Sequence, residues 1–159
     1  MGRKGCCVTA IEVRDDGAFL RAELVLPGCS PEGALAAFTS PEVLAGWWQG
    51  ELTTELAPGG PYEVWFAKVP ARMTGRVIRY VPSSVLEFSW AWDYPADPPE
   101  IAVTVRAGTA ADGSATLEVM HGPHGDDADG RVARAQHREG WEYFLPQLPA
   151  AVNGVTGPA

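Results

Sequence analysis

From Leu86 to Trp92 the chain reads Leu-Glu-Phe-Ser-Trp-Ala-Trp, and a period of two sets Leu86, Phe88, Trp90 and Trp92 on one face of a strand. That is a heavy apolar load for one strand, and the opposite face has to be small or polar. Shorter runs of the same kind predict strands over 8–13, 19–26, 52–56, 62–68, 73–81, 101–107 and 115–121. Turn chemistry separates them. Arg14-Asp15-Asp16-Gly17-Ala18 predicts an N-terminal hairpin over about 6–26, Asp112-Gly113 a second hairpin, and Pro58-Gly59-Gly60 a tight turn. Residues 94–99, with three prolines, predict a loop over the rim of the sheet.

Two segments switch to helical spacing after the same start signal. Ser30-Pro31-Glu32 and Ser40-Pro41-Glu42 each place an N-cap serine before a proline at the first helical position. Leu35 and Phe38 face inward in the first helix, and Val43, Leu44 and Trp47 in the second. From Arg131 onward Ala133, His137, Trp141, Phe144 or Leu145, and Leu148 form one stripe at steps of three and four, so a long helix covers the sheet. Pro146 lacks the N–H that the carbonyl of Glu142 needs, which kinks or ends that helix. Gly140 is expected to let it approach the sheet closely beside Trp141. One domain over 1–150 accounts for every element, and the small, polar stretch 151–159 reads as a disordered tail.

Composition narrows the function classes. At 159 residues with 46% apolar and 20% charged positions, the chain can bury one sizeable core without metals or disulfides. A net charge of -8 excludes the basic footprint that nucleic-acid binding requires; Arg131, Arg134 and Arg138 are the one visible basic group. No run is long and apolar enough to span a bilayer, and no signal-peptide pattern opens the chain. Cys6, Cys7 and Cys29 are an odd count with two sequence neighbours, which favours reduced thiols and a cytoplasmic setting. Ten arginines among twelve basic residues, with abundant alanine, glycine and proline, suggest a GC-rich bacterial source.

The order of elements, a hairpin, two short helices, a run of antiparallel strands and a long last helix, resembles the helix-grip fold of the START and birch-pollen-allergen (SRPBCC) superfamily. Thr39-Ser40-Pro41-Glu42-x-Leu44-x-x-Trp47-Trp48, Leu56-Ala57-Pro58-Gly59-Gly60, Gly75-Arg76-Val77, Leu86-x-Phe88-x-Trp90 and Gly140-Trp141-x-x-x-Leu145-x-x-Leu148 are similar to the branch named for the activator of the Hsp 90 ATPase. The likeness covers about 18–150. Leu35-Ala36 and Trp47-Trp48-Gln49-Gly50 depart from that branch's usual residues near the expected pocket mouth. The resemblance implies an α+β domain whose curved antiparallel sheet and last helix enclose an apolar cavity. It does not by itself imply a reaction, because function resides in the site rather than in the fold.

Strand and helix phase then nominate the cavity wall: Trp48, Phe66, Phe88, Trp90, Trp92, Val103, Val119, His121, His137, Trp141 and Phe144. Tryptophan faces can stack on a flat ligand, and buried indole N–H groups want a partner. His121 shares a strand face with Leu117 and Val119, and His137 lies on the helix stripe, so the two meet as the weak candidates for acid and base or for hydrogen bonding a ligand. His124 ranks below them in a glycine-rich loop read as solvated, and with Asp126, Asp127 and Asp129 it does not make an organised metal site. The expected occupant is a hydrophobic, aromatic or polyketide-like small molecule, with no cofactor and no metal, in a monomer or weak homodimer. An enzyme of cyclase or dehydratase type in the same cavity, a resistance protein cleaved while it quenches a reactive metabolite, and a chaperone co-activator are the alternative readings.

Overall fold

The computed structural model describes residues 11–68, 70–92 and 101–156, with side chains to Val152. Its strands are β1 (Arg14–Asp15), β2 (Leu20–Leu26), β3 (Glu51–Thr54), β4 (Tyr62–Phe66), β5 (Ala71–Thr74), β6 (Val77–Val81), β7 (Val85–Trp92), β8 (Ile101–Thr109) and β9 (Ala115–Gly122). They pair antiparallel in the order β1-β2-β9-β8-β7-β5-β4-β3, with β6 also paired to β7. The helices are α1 (Pro31–Thr39), α2 (Pro41–Trp47), α3 (Ala128–Phe144) and α4 (Leu148–Thr156). This is the α+β helix-grip architecture expected from the sequence.

The alternation in β7 sets the core. Leu86, Phe88 and Trp90 are buried, and Phe88 stacks on Tyr62 of β4 with ring centroids 4.0 Å apart. The expected single strand over 73–81 is two strands, because Gly75 passes against the backbone of Ser89: an added Cβ would lie 1.8 Å from the Ser89 carbonyl oxygen. The Ser89 hydroxyl accepts the Arg76 N–H at 2.9 Å across this break. Hence β5 follows one half of β7 through Met73↔Trp92, and β6 follows the other through Val77↔Phe88.

Both serine caps form as expected, Ser30 accepting from Gly33 N and Ser40 from Val43 N. The buried C-terminal end of α1 is closed by two side chains. Trp47 Nε1 donates to the Ala37 carbonyl at 2.8 Å and the Tyr62 hydroxyl donates to the Phe38 carbonyl at 2.5 Å. Helix ends leave carbonyls without intrahelical partners, so these bonds let the end sit in the core.

Three expectations change. The N-terminal hairpin exists, but its described first strand is only Arg14–Asp15, paired to Arg21 and Leu20; residues 11–13 are irregular, and the start of the expected strand lies outside the described residues, as do Cys6, Cys7 and the loop 94–99. Residues 151–156, expected as disordered tail, continue α4, whose Val152 is fully buried. Ala151 approaches Gly46 of α2, where a glycine Cβ would sit 3.2 Å from the Ala151 Cβ, so small residues dock the last helix rather than freeing it. Gly140 does not mediate a close approach either, since a Cβ there would meet nothing within 4 Å.

Candidate functional site

Pro146 ends α3 at Phe144 and turns the chain through one 3-10 turn, Leu145–Gln147, before α4. Between α3, the end of α2 and strands β4, β5 and β7 lies a cavity of about 400 Å³. Trp48, Phe66, Trp90, Trp92, Trp141 and Phe144 supply its apolar wall, and Gly140 leaves room where another residue would project a side chain. The wall is a packed set of rings: Trp48 lies 5.5 Å from Trp90 and 5.4 Å from Trp141, and Trp90 meets Trp92 edge to face at 5.6 Å. Such offset and edge contacts are the favoured aromatic arrangements, so the wall holds its shape without a ligand.

Polar groups gather at two places. At the mouth, exposed Lys68 donates through Nζ to Gln49 Oε1 at 2.6 Å, and Gln49 Nε2 donates to Gln147 Oε1 at 3.0 Å. At the inner end stand three histidines: His121 on β9, His124 after it and His137 on α3, each offering one nitrogen within 4.8 Å of the others. His121 and His137 stack with centroids 4.4 Å apart, and Trp90 lies 4.8 Å from His121 and 5.2 Å from His137.

The loop that carries His124 is folded under the first turn of α3. Asp127 caps that helix by accepting from Gly130 N at 2.8 Å, and the Gly130 backbone rests on Gly125, where a Cβ would lie 2.1 Å from the Gly125 carbonyl oxygen. His124 is therefore buried, contrary to its reading as a solvated loop residue. Both its backbone N and its Nδ1 reach the Ala18 carbonyl, at 2.7 and 3.0 Å. Arg134 of α3 binds Asp15 at 3.0 Å and the Gly17 carbonyl at 2.8 Å, tying the helix to the N-terminal hairpin beside this loop.

Burial decides the charge state of the cluster. Desolvation holds His137 down to about 3, with the neighbouring His124 adding to the effect. It holds His121 well below the ordinary imidazole value, with His137 and His124 contributing, and lowers His124 against the opposing pull of the Ala18 carbonyl. All three are neutral near pH 7.

As a metal centre the trio is incomplete. His124 fits the role, because Nδ1–H donation to a backbone carbonyl leaves Nε2 as a lone pair. His121 does not fit. Its Nδ1 accepts the Trp141 indole N–H at 3.1 Å, which puts the ring proton on Nε2, a buried nitrogen that, like Trp90 Nε1, has no hydrogen-bond partner among the described residues. Ligation through His121 Nε2 would move that proton onto Nδ1, against a second N–H.

Of the eleven wall residues nominated from strand and helix phase, Trp48, Phe66, Trp90, Trp92, His137, Trp141 and Phe144 line the cavity. Phe88, Val103 and Val119 lie in the solid core, and His121 sits behind the wall, fully buried against His137 and Trp141. Gln49, Lys68, Ala71, Gln136 and Gly140 line it without having been nominated. The helical step of three from His137 to Gly140 was the signal that could have placed the last of these.

The antiparallel sheet, the long helix α3 and the aromatic cavity between them define a helix-grip protein. Within that class the chain belongs to the family described as Activator of Hsp90 ATPase homolog 1-like protein, whose model matches residues 29–153. Protein MLL2253 from Mesorhizobium loti is similar in structure, with a TM-score of 0.72 at 19% identity over 86% of this chain and 97% of that one. DynU16, a protein in the dynemicin biosynthetic locus, gives a TM-score of 0.69 at 25% identity over 91% of this chain but only 49% of its own. The Aha1 dimer from Colwellia psychrerythraea gives 0.70 at 17% identity, covering 87% and 98%. No curated protein matches the chain. Among the described residues no helix is long and apolar enough to cross a membrane.

Proposed function

We propose that this protein binds a hydrophobic, aromatic or polyketide-like small molecule between α3 and the sheet, as a carrier, sequestering agent or biosynthesis accessory. The observation that carries the reading is the cavity of about 400 Å³ walled by four tryptophans and two phenylalanines. Its volume lies within the range of about 300–1,000 Å³ of small-molecule sites, and its wall is apolar with polar groups confined to the mouth and the inner end. A solid core would have closed this space, since protein interiors pack to crystal-like density. The similarity to DynU16 supports a natural-product class of ligand.

Titration of the protein with a panel of polycyclic aromatic and acyl probes tests the reading through its own tryptophans. Quenching that saturates at one site is expected, weakened by Trp92→Ala at the half-buried edge of the wall. Unchanged emission and unchanged amide shifts across the whole panel would remove it.

A further inference from the structure

The three buried histidines are more than part of an apolar wall, because one backbone carbonyl dictates where two of their protons sit. The Ala18 carbonyl can only accept, so His124 Nδ1, 3.0 Å away, carries a hydrogen. A neutral His124 then has a bare lone pair on Nε2. That lone pair lies 3.0 Å from His137 Nδ1, so His137 donates, and its own Nε2 becomes the acceptor. His137 lines the cavity, and among the described residues its Nε2 makes no hydrogen bond. The row Ala18 C=O, His124, His137 thus leaves one fixed lone pair, on His137 Nε2, in a pocket wall whose apolar part is aromatic.

We infer that the cavity selects aromatic ligands bearing a hydroxyl, a phenol or enol, which donates its proton to His137 Nε2. This rests on the binding role proposed above and adds the chemical class of the ligand. A carbonyl or ether oxygen at the same place would oppose lone pair to lone pair and leave His137 unpaired, whereas a hydroxyl completes the row. Burial sharpens the choice, since a polar atom left without a partner in this setting loses its full solvation. Because desolvation holds His137 to about 3, the ring cannot answer an acceptor by taking up a proton at neutral pH.

Two measurements test it. The first compares 2-naphthol with 2-methoxynaphthalene by tryptophan quenching: naphthol is expected to bind about five- to tenfold tighter, the yield of about 1 kcal/mol for one hydrogen bond. In His137→Phe that ratio is expected to fall to about one. Equal affinities in the native protein would overturn the inference while leaving the pocket's binding role intact, and absence of binding by either compound would end both. The second needs no variant. Nitrogen-15 histidine spectra of the unliganded protein are expected to show Nδ1 protonated and Nε2 bare in both His124 and His137. The reverse tautomers, or a Zn²⁺ titration that strips the His137 Nδ1 proton at micromolar metal, would overturn the assignment.

Discussion

Trp47 and Trp48 are adjacent in sequence and stack at 4.9 Å with planes 8° apart, yet they do different work. Trp47 is fully buried and spends its indole N–H on the Ala37 carbonyl at the end of α1. Trp48 turns to the cavity. Trp47→Phe is therefore expected to cost about 1–3 kcal/mol of unfolding free energy, from a buried carbonyl left unpaired plus lost ring volume, with ligand affinity changed little. Trp48→Ala is expected to weaken ligand binding more than tenfold. Urea denaturation and quenching titrations on the two variants separate the roles; parallel effects of both substitutions on both readouts would contradict the division.

Among the elements, α3 and α4 show what a sequence pattern carries and what it misses. The α3 stripe was legible because His137, Trp141 and Phe144 are bulky and correctly spaced, and its end was legible because proline cannot donate. The small residues Ala151 and Gly46 were not, since docking by close approach leaves no apolar periodicity to read. Pro149 in the first turn of α4 was the overlooked start signal. The break at Gly75 and the burial of His124 were hidden for a related reason: each depends on a backbone contact with a residue far along the chain or across a loop. Packing predicts that Val152→Ala costs about 1–3 kcal/mol, which a disordered tail would not show. Gly140 gives the opposite sign. With open space where its Cβ would stand, Gly140→Ala is expected to stabilise α3 by about 0.5–1 kcal/mol, whereas Gly140→Leu should fill the cavity and abolish aromatic quenching. Denaturation curves and probe titrations on these variants check both.

At the scale of the whole molecule the histidine cluster joins β9, the following loop and α3, so its titration is a property of the fold. His137 is held to about 3 by desolvation, against an ordinary value of 6.5, and in the unfolded chain it regains the ordinary value. Between these limits the unfolded state binds a proton that the folded state refuses, so stability is complete above pH 6.5 and is lost as pH falls toward 3. One such group gives a slope of at most about 1.4 kcal/mol per pH unit, hence a loss of about 1.4 kcal/mol between pH 7.5 and 5.5. His121 and His124 are lowered as well and act in the same direction. Among the described residues the charges that act on the cluster are Arg134, which disfavours a proton on His124, and Asp15, which favours one; the two are paired to each other. Carboxylate titration belongs below about pH 5, so a fall in urea midpoint that begins near pH 6.5 is the mark of the histidines. In His137→Phe the fall between pH 7.5 and 5.5 should shrink by about 1.4 kcal/mol, and a native protein with a flat midpoint across that range would show that the cluster admits protons without unfolding.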